Sequence, residues 1–186
     1  MSEFTLYTLE TAPKDSKPLL EDAKKSMGSI PNLFAVMADA PSVLEAYLTL
    51  NRLFTQSSFN ANEQTVLWQT INAEHECTYC VAAHTAIAKQ MKVSDEITQA
   101  LRDGKPLADK KLQVLRDFAL EVVRERGFVK PASLQAFLDA GYSHQQVQEV
   151  VLCLSQKVLS NYINHMAETP LDEGFAAFEW SPGDKQ

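Results

Sequence analysis

Apolar residues recur at three- and four-residue spacing along nearly the whole of this 186-residue chain, as in SVLEAYLTLNRLF over 42–54. No segment alternates apolar and polar residues with a period of two between turn signals. The first pattern gives a helix one buried stripe, whereas a half-buried strand needs the second. An all-α, compact multi-helix bundle is therefore expected. Punctuation along the chain divides it into helices. LLEDAKKSM, at about 19–27, is a candidate short helix, and SIPNLF reads as a loop because Pro31 biases Ile30 away from helix. Pro41 suits a first helical turn before 42–54. Asn60 with Glu63 resembles a capping box opening a helix that carries Val66, Leu67, Trp68 and Ile71. The stretch 77–90 reads as helix, and another runs from Ser94 to Gly104. A long amphipathic helix spans about Asp109 to Arg126 and is stopped by Gly127; Pro131 opens a short one ending near Gly141. Ser143 and Gln146 form a second capping box, leading into a long apolar helix toward Met166.

No Ser/Gly-rich linker divides the chain, so 1–186 reads as a single domain. The formal charge is −7 and Lys24-Lys25 and Lys110-Lys111 sit among carboxylates, which argues against a nucleic-acid partner. The N-terminus lacks a basic segment followed by an apolar run, and no apolar run approaches the length of a membrane span. A soluble cytoplasmic protein with no membrane association is the expectation. Three cysteines cannot build a disulfide framework, and a Cys-x-x-Cys in a reducing compartment points to metal binding or redox chemistry.

That pair lies in EHECTYCVAAH, residues 74–84, with Cys77 and Cys80 followed by His84. On a helix Cys80 projects about 60° from Cys77, and His84 returns to within roughly 20° of Cys77. Two sulfurs and one imidazole thus share a face. A structural zinc site needs four ligands, and these residues supply three; His75, Glu76 or His165 could complete a set, but no spacing argues for any of them. No metal and no cofactor is expected. Cys153, alone in VVLCLSQ, reads as a small buried hydrophobe. Core packing of both cysteines and a satisfied helical histidine is the bland reading of the motif.

A redox reading uses all three groups. The thiolate is the reactive form, and an imidazole one turn from Cys80 can take its proton, which makes His84 the candidate general base. Peroxide attack would give a sulfenic acid on one cysteine, which the other would resolve as a disulfide. Cys80 is preferred for the attack because His84 is one turn away, whereas a helix starting at Cys77 would favour Cys77 as the lower-pKa thiol. An external dithiol would then reduce that disulfide. Glu74, three residues before Cys77, and Glu63, one helix earlier, are candidates to orient His84 in a proton relay. Tyr79 and Trp68 could line a pocket for an organic peroxide.

The segment EQTVLWQTINAEHECTYCVAAHTAIAK resembles the carboxymuconolactone decarboxylase family, in its alkylhydroperoxidase D-like branch, whose Cys-x-x-Cys-x-x-x-His motif is matched by Cys77, Cys80 and His84. SIPNLFAVMADAP and FLDAGYSHQQVQEVVLCLSQKVLSNYINHMAETPLD are similar to flanking parts of the same branch. The resemblance implies an all-helical fold assembled as a homo-oligomer, a trimer or hexamer. It further implies thiol-dependent reduction of hydrogen peroxide or organic hydroperoxides, with a lipoyl or thioredoxin type of dithiol reductant. In the best-known members a glutamate one helix before the cysteines joins a proton relay; Thr65 holds that position here, so Glu63 and Glu74 are the substitutes. Tyr79 stands where those proteins carry histidine between the cysteines. Two other readings accompany this one. One is a non-redox decarboxylase of the lactone type, and the other is a redox-sensing stress protein with little turnover.

Overall fold

The computed structural model describes residues 3–184, and among them the chain forms nine α-helices, two short 3₁₀ segments and no strand. In order these are α1 (Lys17–Met27), α2 (Asn32–Met37), α3 (Pro41–Thr55), α4 (Ala61–Glu74) and α5 (Thr78–Gln90), followed by α6 (Asp95–Arg102), α7 (Lys110–Arg124), α8 (Pro131–Asp139) and α9 (His144–Ala167). The 3₁₀ segments Glu173–Phe178 and Pro182–Asp184 follow α9. The architecture is the all-α bundle expected from the period. Both capping boxes form: the Asn60 side chain accepts from the Asn62 and Glu63 amides, and Ser143 accepts from the Gln146 amide. No helix among the described residues is long and apolar enough to cross a membrane.

One expected loop is a helix. Pro31 biases Ile30 as anticipated, but it stands at the N-cap of α2 with extended backbone, and the helix begins directly after it. Proline lacks the N–H that a helix start leaves unpaired anyway, so it opens a helix as readily as it ends one. Burial of Leu33 through Met37 supplies the tertiary support for so short a helix.

The apolar core has two main clusters. One gathers Phe54, Leu67, Trp68, Leu115, Phe118, Phe137 and Val150 around α4, α7, α8 and the start of α9. The other gathers Leu20, Phe34, Leu44, Tyr47, Cys77, Tyr79 and Cys80 around α1, α2, α3 and the start of α5. Helix α9 runs past both, and its buried side carries Val150, Cys153 and Ala167 together with a polar stripe. Gln156, Lys157, Ser160, Asn161 and Asn164 are all buried, at the i, i+1, i+4, i+5, i+8 spacing of one helical stripe. Val151, Tyr162 and Met166 of the same helix are exposed. The apolar helix expected here thus buries polar side chains beside apolar ones, because the polar ones meet polar partners there. Trp68 Nε1 donates to Gln156 Oε1 at 3.0 Å, Gln156 Nε2 to Asn51 Oδ1 at 2.8 Å, and Asn161 Nδ2 to Asn72 Oδ1 at 3.0 Å. A buried amide whose donors and acceptors are satisfied avoids the desolvation penalty that an orphan incurs.

Candidate active site

The two cysteines are placed by a tight turn between α4 and α5. Glu76 adopts the left-handed region at φ 57, an uncommon conformation for a residue with a Cβ. The turn lets the Cys77 amide donate to the Asn72 carbonyl at 3.0 Å and sets Cys77 at the N-cap of α5. Cys77 therefore precedes the helix expected to start with it, and Cys80 lies in the first turn. Asn72 fixes the other side of that turn by donating to the Cys80 carbonyl at 3.3 Å. Both thiols are free and buried.

Helix α9 supplies the groups around the sulfurs. Asn164 Nδ2 donates to Cys80 Sγ at 3.2 Å and lies 3.9 Å from Cys77 Sγ, so one amide spans both sulfurs. Ser160 Oγ is 3.9 Å from Cys80 Sγ. Lys157, fully buried, places Nζ 2.8 Å from His84 Nε2. The ring of His84 also lies 4.9 Å from that of Trp68. With the lysine ammonium as donor, Nε2 accepts and Nδ1 carries the ring proton; Nδ1 has no partner.

The electrostatics separate the two thiols. Burial alone would raise the Cys80 thiol, but the Cys77 hydrogen bond, the Lys157 charge and the amides of Asn161 and Asn164 outweigh it and hold it well below the ordinary thiol range. Cys77 is pushed up, first by its hydrogen bond to Cys80, then by burial and by the negative charge of Cys80. Burial, and then the Lys157 charge, push the His84 imidazole well below its usual value, so the ring is neutral. Cys80 is the thiolate and Cys77 the thiol. The helix N-terminus favours the same assignment, since Cys80 sits within the turn that carries the partial positive charge.

Cys80 and His84 line an apolar cavity of about 470 Å³ whose walls include Leu33, Phe34, Tyr47, Tyr79, Ile87 and Phe175. That volume falls in the range of small-molecule sites. Tyr79 is fixed in the wall by donating to Asp172 Oδ2 at 2.5 Å and accepting from the Leu33 amide at 3.3 Å. Trp68 is not among the wall residues and packs in the core against Phe54, with ring centroids 5.1 Å apart.

Of the five residues singled out in the sequence, the structure brings together Cys77, Cys80 and His84. The two glutamates meet basic residues of α7. Glu63 caps α4, Oε2 accepting from the Asn60 amide at 2.9 Å, and pairs with Lys111 at 3.6 Å. Glu74 accepts from Arg124 Nε at 2.7 Å and Nη2 at 2.8 Å. The hydrogen bond of His84 is to Lys157 instead. Lys157, Asn161 and Asn164 escaped the sequence reading. Their shared helical face in α9 was the available signal, but nothing local ties it to cysteines some 80 residues earlier. Cys153 is buried in the core, as its apolar neighbours implied. Among the described residues no cluster of three or more His, Cys, Asp and Glu side chains is disposed to hold a metal ion.

No family model matches this sequence, and neither does the sequence of any curated protein. Solved structures do match in fold. An uncharacterized peroxidase-related protein with an alkylhydroperoxidase AhpD core, from Ralstonia eutropha JMP134, superposes with a TM-score of 0.83 at 20% identity over 94% of both chains. An uncharacterized peroxidase-related protein from Silicibacter sp. TM1040 gives a TM-score of 0.78 at 18% identity over 93% of this chain and 94% of the other. The debrominase Bmp8, a cysteine-to-alanine variant in complex with 2,3,4-tribromopyrrole, gives 0.73 at 14% identity over 96% of each chain. This chain shares their fold.

Proposed function

We propose that the protein is a thiol-dependent peroxidase that reduces organic hydroperoxides through a Cys77–Cys80 dithiol–disulfide cycle. The observation that carries this reading is the Cys80 thiol. It is held low by Lys157 and the α9 amides, with a second thiol beside it, at the wall of an apolar cavity. Peroxidase-related proteins of the same fold support it.

In this mechanism the Cys80 thiolate attacks the terminal oxygen of ROOH. The O–O bond breaks, Cys80 becomes a sulfenic acid, and the alkoxide needs a proton. His84 Nδ1–H, unpartnered and belonging to a residue of the cavity wall, supplies that proton while Nε2 takes one from Lys157. His84 so acts as a relay acid in the first step, a different role from the base that spacing alone suggested. The Cys77 thiol then attacks the Cys80 sulfur, forming the disulfide and releasing water. Two electrons and two protons from an external dithiol restore the thiolate, the Cys77 thiol and the Lys157 ammonium. Assembly of several copies belongs to the same reading, since Val151, Tyr162 and Met166 leave an apolar stripe of α9 exposed.

The test is turnover of cumene hydroperoxide with a dithiol, followed by mass spectrometry of the Cys77–Cys80 peptide. Cys80→Ser should abolish peroxide consumption, and Cys77→Ser should stop the cycle at the sulfenic acid, trapped by dimedone. Full turnover in both variants would refute the mechanism. Cysteine-independent lactone decarboxylation, or redox-dependent assembly without turnover, would each replace it.

A second reading rests on the aromatic walls Phe34, Tyr47, Tyr79 and Phe175 and on the debrominase of the same fold. There the same dithiol would reduce a haloaromatic compound to the parent arene, releasing halide and leaving the same disulfide. Bromide release from bromopyrroles in place of hydroperoxide turnover would select it.

A further inference from the structure

We propose that the two cysteines are served through separate openings: substrate reaches Cys80 through the apolar cavity, whereas a small, slender dithiol reaches Cys77 through a polar cleft and opens the disulfide there. This inference rests on the thiol-redox reading above. The cleft, of about 350 Å³, is lined by Cys77, Thr78, Tyr79, Asn164, His165, Glu168 and Thr169. The apolar cavity is lined by Cys80 and His84 but not by Cys77, and the cleft by Cys77 but not by Cys80. Tyr79 belongs to both walls and is pinned by Asp172 and the Leu33 amide.

A second observation marks the cleft as a place for a ligand. Asn164 Oδ1 and Thr169 Oγ1 are buried polar atoms without a hydrogen-bond partner, and both residues line it. Asn164 is 5% and Thr169 9% exposed. An unpartnered buried amide oxygen and hydroxyl cost free energy that a thiol or amide donor from a bound reductant would offset.

The chemistry favours attack on the same sulfur. In thiol–disulfide exchange the thiol of lower pKa is the better leaving group, and Cys80 is the depressed thiol of the pair. A reductant thiolate therefore attacks Cys77, the S–S bond breaks, and Cys80 leaves as thiolate beside Lys157. The second thiol of the reductant then attacks the mixed disulfide, releasing Cys77. Of the reductant's two thiol protons, one passes to Cys77 and the other to Lys157, and the reductant departs as its own disulfide. A monothiol would have to enter twice. The sulfur of Cys77 is buried, its residue 1% exposed. A dithiol at the end of a thin arm, of the dihydrolipoamide kind, fits the cleft where a dithiol on a protein surface does not.

Bulky substitutions at exposed wall positions test this without touching the chemical groups. Thr78→Trp and His165→Trp narrow the cleft, and Met27→Trp narrows the mouth of the apolar cavity. The disulfide is formed with diamide, so reduction by dihydrolipoamide is measured whether or not any peroxide is consumed. Thr78→Trp and His165→Trp should slow reduction by roughly tenfold or more, the scale of losing an aligned approach to a reacting atom. They should leave oxidation by cumene hydroperoxide unchanged. Met27→Trp should slow oxidation and spare reduction. Wild-type reduction rates in both cleft variants, slowed reduction in Met27→Trp, or faster reduction by thioredoxin than by dihydrolipoamide would each overturn the proposal. Failure of the peroxidase reading shows separately, as absent oxidation by cumene hydroperoxide in the unmutated protein.

Discussion

Replacing Lys157 by methionine should disarm Cys80 while leaving the fold intact. Lys157 is fully buried, and the contact it makes is to a neutral imidazole, 2.8 Å away. A buried ammonium without an anion is costly, and the anion available to it is the Cys80 thiolate, whose titration it lowers. An opposite charge at close range lowers an acid by roughly 1–3 pKa units, or about 1.4–4 kcal/mol. No discount for solvent screening applies, since neither group is exposed. Methionine keeps the length of the stem and removes the charge. The midpoint for alkylation of Cys80 by iodoacetamide should therefore move up by roughly 1–3 pH units. Peptide mapping isolates Cys80, because the raised Cys77 thiol does not react in the same range. Disulfide formation with cumene hydroperoxide at neutral pH should slow by roughly tenfold or more, and added salt should not restore it. Thermal stability should hold or rise, because apolar replacements of buried ionic groups are often neutral or stabilising. A folded Lys157→Met protein with the unmutated alkylation midpoint would refute the assignment of Lys157 as counter-ion.

The buried imidazole also makes stability depend on pH. His84 is held below its ordinary value, so below about pH 6.5 the unfolded chain binds a proton that the folded one refuses, and stability falls as pH falls. Between pH 6 and 5 the unmutated protein should lose about 1.2 kcal/mol more than His84→Gln, measured by urea unfolding; equal losses would show that His84 does not titrate between the states. Glu63→Ala removes half of a capping box and the partner of Lys111, so stability should drop by about 0.5–2 kcal/mol. Its peroxidase activity should be unchanged, and a large loss of activity with an unchanged melting temperature would return Glu63 to the proton relay. Glu74→Gln loosens an exposed pair with Arg124 and should alter neither activity nor stability by more than about 1 kcal/mol; a fall in peroxide turnover would place Glu74 in the relay.

The part of the site visible in the sequence was the part set by local spacing. Cys80 and His84 share a face because one helical turn separates them, and Asn60 with Glu63 could be read as a cap because a capping box is a four-residue pattern. Cys77 was also legible, although its side chain is set by the Glu76 turn and not by the helix itself. Helix α9 was harder. Its buried side mixes Val150 and Cys153 with polar residues, and periodicity does not say which polar residues go inward when a polar cluster awaits there. Gln156, Lys157, Ser160, Asn161 and Asn164 go inward only because Trp68, Asn72, His84 and the two thiols supply their partners. Those partners lie in α4 and α5 or just before α5, so the choice is made by tertiary contact.

The same long-range logic explains a departure within the motif. Thr65, which stands where the resembling family carries its relay glutamate, lies one turn before Trp68 and is buried with its hydroxyl unpartnered. A carboxylate at that depth would need a cation, and Lys157 is the buried lysine that α9 offers. Pairing the two would neutralise the charge that lowers Cys80 and leave the thiol to the raising effect of burial. A hydroxyl at position 65 leaves the lysine charge to the sulfur. In the proposed mechanism a neutral residue in α4 and a buried lysine in α9 therefore act together, the lysine that lowers Cys80 also being the source of the proton that His84 delivers.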